Sequence, residues 1–325
     1  MTVHSISVGI MIEGQEGLNW PRFFRLVDAV EELGFESLFR SDHLAALAGP
    51  AEAGRRETLA LWPSLTALAL RTRRIRFGPL VCSMTFRQPA LLARAAAAVD
   101  VLSGGRLDLG LGAGWNRGEH RMYGIAFRPY AERLEMLDEG ARVIRALWSG
   151  GPANFAGKYY RLEDAVSLPL PVQQPTPLIM GGSGQRTLKI VAEHASEWNS
   201  SYGSLEVFKE KSRELDDNCR AIGRDPASLR RSAMVPYVVG QGAKAIQARI
   251  DTQRATFSSL PGNIDDWRAR GFPGGTPAEL VSQLKEWAEA GCSRIMLQHN
   301  DLDDLASLTL LAAEVLPHLT PAGES

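Results

Sequence analysis

Residues 75–115 read IRFGPLVCSMTFRQPALLARAAAAVDVLSGGRLDLGLGAGW. The stretch divides into an apolar run, an Ala- and Leu-rich segment of helical composition, and a second apolar run that ends in glycines. Both runs are apolar on successive residues, which is typical of parallel strands covered on both faces. The stretch therefore predicts a β-α-β unit. Ligands bind beyond the carboxyl ends of such strands, so functional side chains are expected at 83–87 and 112–115.

Composition limits the class of protein. The chain has 325 residues, 45% hydrophobic and 22% charged, and can bury a large core. A net charge of -1 gives no argument for a nucleic acid or for a membrane surface, so neither is expected as a partner. The three cysteines are far apart in the sequence, which fits a reducing, cytoplasmic location. The six histidines show no HxH or HExxH spacing, so we expect no metal site. The N-terminal segment has too short an apolar run for a signal peptide or a membrane span, and is predicted to be a strand.

The β-α pattern repeats along the chain. Beyond the opening stretch, strands are predicted at 5–12, 35–40, 178–180, 197–200, 233–239 and 294–298, and helices at 20–33, 59–70, 130–148, 185–194, 205–222, 277–290 and 302–316. About eight such units predict one (β/α)8 TIM barrel with insertions, an α/β fold spanning residues 1–325. The alternative, an open doubly wound sheet, would carry a glycine fingerprint after the first strand, where this sequence has none.

Two segments interrupt the pattern. Residues 150–177 are rich in Gly, Pro and aromatic residues and are predicted to form a small hairpin insertion. Residues 240–275 carry several Gly and Pro residues and no clear periodicity, which predicts a long loop. Because long loops inside compact domains often close over active sites, we expect this one to act as a lid.

Asp42 and His43 follow the second predicted strand, at the expected mouth of the barrel. A histidine there can donate a hydrogen bond or move a proton near neutral pH, so His43 is the first catalytic candidate, with Asp42 beside it. The alternative is a His packed under a loop, with the Asp capping the next turn. Glu119 and His120 open a helical segment, and we expect them to be solvated or to cap it.

A second candidate site is the turn formed by Gly181, Gly182, Ser183 and Gly184, which leads through Arg186 into a predicted helix. Backbone N–H groups at a helix N-terminus, together with a hydroxyl and an arginine, can bind a phosphate. The alternative is an ordinary strand-to-helix turn that uses glycine for tightness.

The glycines of the fourth strand give a third candidate site. Gly110, Gly112 and Gly114 would let a flat ligand approach closely, with Trp115 as a wall, although a packing bend explains the glycines nearly as well. Ala113, between the last two glycines, is a further candidate for contact with the ligand. Arg87 lies at the end of the third strand, where it can reach an anion or cap carbonyl groups.

Three segments, taken in order, carry a family resemblance: GFESLFRSDH (34–43), residues 72–115, and PLPVQQPTPLIMGGSGQRTLKIVAEHASEWN (169–199). Together they resemble the bacterial luciferase-like flavin oxidoreductases, and within them the branch that uses the deazaflavin coenzyme F420. The resemblance implies a (β/α)8 barrel that binds an isoalloxazine or deazaflavin ring at its carboxyl face. It also implies a small-molecule substrate and a homodimer.

The resemblance assigns roles to particular positions. It implies that His43 is the active-site histidine and that a cis peptide bond joins Leu80 and Val81 behind the ring. Ser83, just past the third strand, is a further candidate for contact with the cofactor. It places the cofactor phosphate at the glycine turn 181–184. Sugar-phosphate dehydrogenases of this family carry an acidic Glu after the glycines of the fourth strand, where this chain has Trp115, and this argues against a sugar-phosphate substrate.

The function expected from these residues is hydride transfer between coenzyme F420 and a small organic substrate. Arg186 and Lys189 could reach the anionic tail of the cofactor or could equally be solvated. One alternative is an FMN-dependent two-component monooxygenase fed by a separate reductase. A second alternative, from a different class, is a protein that binds a flavin or deazaflavin without turnover.

Overall fold

The computed structural model describes residues 5–47 and 56–319. The strands are β1 (Ser7–Ile12), β2 (Ser37–Arg40), β3 (Arg76–Pro79), β4 (Cys82–Ser83), β5 (Leu109–Gly112), β6 (Ala153–Ala156), β7 (Arg161–Ala165), β8 (Leu178–Gly181), β9 (Glu197–Ser201), β10 (Arg230–Pro236), β11 (Val238–Val239), β12 (Gly274–Gly275) and β13 (Arg294–Gln298). The helices are α1 (Trp20–Glu32), α2 (Leu61–Arg71), α3 (Pro89–Ser103), α4 (Arg117–Met122), α5 (Tyr130–Leu147), α6 (Gln185–His194), α7 (Leu205–Ala221), α8 (Ala243–Thr256), α9 (Ile264–Ala269), α10 (Pro277–Glu289) and α11 (Leu305–Glu314).

Nine strands form one sheet in the order β3-β2-β1-β13-β10-β9-β8-β5-β4, and every pairing in it is parallel. The two end strands, β3 and β4, are halves of one extended run separated only by Leu80 and Val81. The sheet therefore closes on itself through this run, so that β3 and β4 together count as one of the eight strands of the barrel. This confirms the predicted (β/α)8 TIM barrel.

Local chemistry explains why the elements begin and end where they do. Helix α3 starts at Gln88, whose side chain accepts a hydrogen bond from the backbone N–H of Ala90, and has Pro89 in its first turn. It ends at Gly104, which has a φ of 67°, a left-handed conformation that favours glycine. Helix α10 starts with a capping box in which Thr276 and Glu279 bond each other's backbone N–H groups.

Two apolar layers hold the barrel together. The larger one packs the outer faces of the strands against the helices. The smaller one lies inside the barrel and is formed by Met11, Phe39, Leu80, Ile179, Met234 and Met296, with Val81 packed against it. These side chains come from different strands of the barrel and together fill its interior. They leave room for a ligand at the carboxyl ends of the strands.

The two insertions differ from each other in structure. Residues 150–177 contain an antiparallel pair, β6 with β7. Residues 240–275 contain α8, α9 and β12, with β12 paired to β11, so the prediction of a loop without secondary structure was wrong. The helices pack on their own apolar cluster, which includes Ile250, Trp267 and Phe272.

The amino ends of the strands hold a buried ionic cluster. Arg294, which is 1% exposed, bonds Asp108 at 2.9 Å, Glu197 at 3.2 Å and Glu36 at 2.6 Å, and Arg76 also pairs with Asp108. Since Arg294 opens β13, Glu197 opens β9 and Arg76 opens β3, the cluster closes the end of the barrel opposite the carboxyl ends. Among the described residues, no helix has the length and apolarity needed to cross a membrane.

Candidate active site

A cavity of about 910 Å3 opens at the carboxyl ends of the barrel strands. Eleven of the residues singled out from the sequence line it: Asp42, His43, Leu80, Val81, Ser83, Gly112, Ala113, Gly114, Trp115, Gly181 and Gly182. Ser183, Gly184 and Arg186 are not among its lining residues, and all three are exposed. A volume of this size lies in the range of small-molecule and cofactor sites.

His43 is held by the carboxylate of Glu119, which lies in helix α4 after strand β5. Its Nδ1 lies 2.8 Å from Oε2 of Glu119, which is 3% exposed. The second oxygen of Glu119 accepts the backbone N–H groups of Leu44 at 2.5 Å and Ala45 at 3.2 Å. The Trp115 ring meets the His43 ring edge-on at 5.4 Å between centroids. With Nδ1 fixed in this way, Nε2 of His43 has no protein hydrogen-bond partner within the described parts of the chain.

These contacts set the proton affinity of His43. Burial opposes its protonation, but the hydrogen bond that His43 donates to Glu119 and the nearby carboxylates of Glu13, Glu119 and Asp42 outweigh burial, and the pKa of His43 is raised above its ordinary value. A histidine with a raised pKa and one free nitrogen can give a proton to a ligand or take one from it.

Asp42 does not face the cavity as a free acid. Two guanidinium nitrogens of Arg87 donate hydrogen bonds to its carboxylate, one of them to Oδ1 at 2.8 Å. Burial raises the pKa of Asp42, and Arg87 and Arg40 work against that rise. Arg87 therefore binds an anion, as one of its two predicted roles requires, but this anion is the carboxylate of Asp42 in the active-site wall and not part of a ligand.

The wall behind the cavity is the junction of β3 and β4. The Leu80–Val81 peptide bond there is cis. A Cβ on Gly110 would lie 2.1 Å from the carbonyl oxygen of Pro79, and one on Gly112 would lie 2.6 Å from the Val81 side chain. These two glycines therefore make room for the neighbouring strand, so the packing alternative describes them better than close approach to a ligand.

The glycine turn after β8 borders another side of the cavity. Gly181 and Gly182 line it together with Thr187 and Tyr130, whose hydroxyl groups lie 3.1 Å apart. Gly182 has a φ of 115°, where a side chain is strained. Helix α6 begins at Gly184, and no side chain caps its first N–H groups. The positive end of this helix and the two hydroxyls are suited to an anion.

The opposite side of the cavity carries a polar group that sequence reasoning missed. Glu13, 5% exposed, follows β1 and accepts hydrogen bonds from Gln15 at 2.8 Å and Gln298 at 2.6 Å. Gln298 also bonds the hydroxyl of Tyr202, a residue with a φ of 57°. No local pattern marks Glu13 as functional, although its position just past the first strand was an available signal.

The prediction that Glu119 and His120 are solvated was wrong, because they are 3% and 0% exposed. Asn116 caps the short helix α4 by accepting hydrogen bonds from the backbone N–H groups of Gly118 and Glu119, and this turns the Glu119 side chain inward. His120 is held between Thr85 Oγ1 and the carbonyl oxygen of Asn116, each at 2.7 Å. Glu119, four residues after Trp115, thus brings a carboxyl group to the cavity, where it bonds His43 and the backbone N–H groups of Leu44 and Ala45.

Comparisons with known proteins agree with this architecture. The model of the luciferase-like monooxygenase family matches residues 2–317. The chain is 28% identical to the F420-dependent glucose-6-phosphate dehydrogenase of Amycolatopsis mediterranei over 90% of this chain and 92% of the relative. It is 26% identical to the F420-dependent hydroxymycolic acid dehydrogenase of Mycobacterium tuberculosis, over 97% and 89%. The structure of monooxygenase RslO1 from Streptomyces bottropensis superposes with a TM-score of 0.82 at 20% identity, covering 97% of this chain and all of that one. The chain belongs to the luciferase-like monooxygenase family.

Proposed function

We propose that the protein is an oxidoreductase that transfers a hydride between coenzyme F420 and a small organic substrate. The observation that carries the proposal is the pair of partly buried His43 and buried Glu119, in which Nε2 of His43 lies at the cavity without a hydrogen-bond partner among the described residues. The F420 dependence of the two curated relatives supports the choice of deazaflavin.

The residues of the cavity fit such a cofactor. Leu80 and Val81 give a flat, apolar wall for the ring. A Cβ on Gly181 would meet its nearest neighbours at 3.9 Å, an ordinary van der Waals contact, so packing within the protein does not by itself require a glycine at this position. The first N–H groups of α6, with the hydroxyls of Thr187 and Tyr130, would hold the phosphate. A deazaflavin bound there supplies the site that donates or accepts the hydride.

Side chains of the protein accept and donate the proton in the reaction. For oxidation of an alcohol, Nε2 of His43 takes the hydroxyl proton as the hydride leaves the adjacent carbon. For reduction of a carbonyl compound, the same atom returns a proton to the oxygen. Glu119 keeps the ring in the tautomer with its hydrogen on Nδ1, and its charge stabilises the imidazolium form. Trp115, which is 65% exposed, packs edge-on against the His43 ring and helps to orient it.

The proposal is tested by titrating the purified protein with F420 and with FMN while following cofactor fluorescence. Preferential binding of F420 is the expected result. Preferential binding of FMN would instead favour the two-component monooxygenase. Binding of neither would overturn the cofactor assignment.

His43→Asn separates an enzyme from a protein that only binds the cofactor. The variant should keep F420 binding, because the residues that contact the phosphate and the ring follow other strands of the barrel. It should lose F420-linked oxidation of alcohols. His318→Asn is the matched control, since His318 lies in the turn Leu316–His318, is exposed and does not line the cavity. Wild-type protein that binds F420 but oxidises or reduces no alcohol or carbonyl compound would favour the non-catalytic alternative.

A further inference from the structure

A chain of hydrogen bonds leads from the cavity wall into the protein. Ser83, at the end of β4, is 7% exposed and lines the cavity. Its Oγ lies 2.7 Å from Oγ1 of Thr85, which lies 2.7 Å from Nε2 of His120. Nδ1 of His120 in turn lies 2.7 Å from the backbone carbonyl oxygen of Asn116. The chain therefore links the cavity to a buried histidine that has no part in the proposed proton transfer.

The carbonyl group at the inner end sets the direction of every bond in this chain. A carbonyl oxygen only accepts, so Nδ1 of His120 carries the hydrogen. In a neutral imidazole Nε2 then has a lone pair, and the hydroxyl group of Thr85 donates to it. Because Thr85 has a single hydroxyl hydrogen, its oxygen accepts the hydrogen of Ser83. Ser83 thus uses its only hydroxyl hydrogen inside the protein and offers lone pairs to the cavity.

The surroundings of His120 are those of a neutral ring. It is 0% exposed and packs against the rings of Phe86 and Phe127, at 4.9 and 4.8 Å between centroids. The guanidinium groups of Arg117 and Arg133 lie over the Phe127 ring, at 5.4 and 4.1 Å from its centroid. In the parts of the chain that the structure describes, neither ring nitrogen of His120 bonds a carboxylate. An imidazolium here would be a buried charge without an anionic partner and close to two cations, which is unfavourable.

The backbone beside the two hydroxyl groups is shaped to accommodate them. A Cβ on Gly114 would lie 2.3 Å from Oγ of Ser83 and 2.8 Å from Oγ1 of Thr85. Gly114 also has a φ of 74°, a conformation that favours glycine. At the inner end, the side chain of Asn116 caps α4, which fixes the residue whose carbonyl group accepts from His120. The chain is therefore oriented before any ligand binds, so a ligand does not have to order it.

The position of Ser83 indicates which ligand it meets. Leu80 and Val81, which form the wall proposed for the cofactor ring, are close to Ser83 in the sequence and line the same cavity. A fixed acceptor there suits an N–H or O–H group and leaves a carbonyl or ionised oxygen without a donor. We propose that Ser83 accepts a hydrogen bond from the bound cofactor, and that Thr85 and His120 are positioning residues that set the direction of this bond. The inference rests on the proposed function and adds a cofactor contact to it.

The first test observes the direction of the chain without a cofactor. In protein labelled with 15N in the histidine rings, NMR spectroscopy distinguishes a protonated ring nitrogen from one with a lone pair. We expect His120 to carry its hydrogen on Nδ1 and none on Nε2. The signals of His120 are those that His120→Gln loses or, should this variant fail to fold, those that correlate with the backbone of His120. A hydrogen on Nε2, in place of Nδ1 or in addition to it, would let Ser83 donate and would overturn the inference.

The second test measures the contact itself by fluorescence titration. Ser83→Ala should weaken the binding of F420 about tenfold, because a donor of the cofactor loses its acceptor at a mostly buried position. Ser149→Ala is the matched control, since Ser149 is exposed, lies outside the cavity lining and should leave the affinity unchanged. An affinity of Ser83→Ala equal to that of the wild type would overturn the inference.

Two fragments of the cofactor locate the donor. F420 has N–H and hydroxyl groups on its ring and further hydroxyl groups on its ribityl chain. The titration is therefore repeated with the 8-hydroxy-5-deazaflavin ring that carries the ribityl chain, and with the same ring that carries a methyl group in its place. A loss in Ser83→Ala that persists with the methyl compound supports a contact with the ring. A loss that disappears with the methyl compound supports a contact with the ribityl chain.

A pair of substitutions at Thr85 separates the direction of the bond from packing. Thr85→Val keeps the shape but removes the acceptor for the Ser83 hydrogen, which can then turn toward the donor of the cofactor, and should weaken F420 binding about threefold or more. Thr85→Ser keeps the hydroxyl group and should bind F420 within about twofold of the wild type. Equal losses in the two variants would indicate packing alone and overturn the positioning role of Thr85.

The titrations separate failure of this inference from failure of the proposed function. If the wild-type protein does not bind F420, the proposed function fails and the contact fails with it. If F420 binds equally well to the wild type and to Ser83→Ala, the contact with Ser83 fails and the cofactor assignment stands.

Discussion

The two oxygens of Glu119 have different partners, and this asymmetry fixes the state of His43. Oε1 accepts two backbone N–H groups, from Leu44 and Ala45, so only an oxygen atom can occupy that position. Oε2 is then the atom that faces Nδ1 of His43. A carboxylate satisfies all three donors, whereas an amide cannot, because its nitrogen would have to point at Nδ1.

Glu119→Gln should therefore reverse the tautomer of His43. The amide nitrogen would donate to Nδ1 and leave the hydrogen on Nε2, where neutral His43 cannot act as a base. A wrong tautomer of a catalytic histidine lowers kcat by as much as about 10^4-fold in a well-studied triad, and we expect a loss of about 10^2-fold or more in alcohol oxidation here. Binding of F420 should change little. The measurement is kcat together with the dissociation constant of F420, and Glu163→Gln serves as the control.

The rates of alcohol oxidation and of carbonyl reduction should change with pH in opposite directions. Because the pKa of His43 is raised, the imidazolium form persists to a higher pH than in a free histidine. Alcohol oxidation needs the neutral form, so its kcat/KM should rise as pH increases through the raised pKa. Carbonyl reduction needs the protonated form and should fall over the same interval. Profiles of both reactions from pH 5 to 9 provide the check, and slopes of the same sign would contradict the role of His43.

The contrast between His43 and Glu119 shows how far residues can be assigned from sequence. His43 could be found because it directly follows a clear strand. Glu119 could not, since NRGEHRM is a short charged segment whose burial depends on contacts with Leu44 and Ala45, more than 70 positions earlier. Only the tertiary fold brings the two together.

At the scale of elements, strand β5 is shaped by what lies beside it. The carbonyl oxygen of Pro79 would lie 2.1 Å from a Cβ on Gly110, and this oxygen belongs to the backbone of β3. Backbone atoms cannot swing aside as a flexible side chain can. The contact between neighbouring strands therefore requires a glycine at position 110 of β5.

Gly110→Ala should destabilise the protein by roughly 2 kcal/mol or more, because a methyl group forces β3 and β5 apart in a close-packed core. Urea unfolding followed by circular dichroism gives the free energy of unfolding. Gly151→Ala is the control, because a Cβ at that position meets nothing within 4 Å and should change stability little. Equal effects of the two substitutions would refute the packing argument.

Elements with strong local signals were predicted well. Strand β13 and helix α6 have the predicted bounds. A continuous run of apolar residues defines β13, and apolar residues at helical spacing after a glycine turn define α6. Helix α8 was missed because its sequence, AKAIQARIDTQRAT, is largely polar and only Ile246, Ile250 and Gln253 are buried. Its helical state depends on the apolar cluster of the insertion, which the sequence pattern alone does not reveal.

At the scale of the whole molecule, the two ends of the barrel have different tasks. The carboxyl end holds the cavity, while the amino end is closed by the ionic cluster around Arg294. The repeated β-α pattern was sufficient to predict the barrel, since parallel strands joined by helices have few ways to close. It did not predict the ionic cluster, whose members Glu36, Asp108 and Glu197 come from separate units of the chain.

Arg294→Met should destabilise the whole barrel by about 3–5 kcal/mol, because it leaves buried carboxylates without their shared cation. Burial alone would raise the pKa of Asp108, but Arg76 and Arg294 outweigh it and lower this pKa. The stabilisation from Asp108 is thus present above its unfolded pKa and lost as pH falls through its folded pKa. The difference in unfolding free energy between wild type and variant should accordingly be largest near pH 7 and shrink towards pH 3. Urea unfolding at both pH values measures it, with Arg161→Met, whose side chain is 75% exposed, as control. A difference that does not depend on pH would mean that Arg294 acts through packing and not through charge.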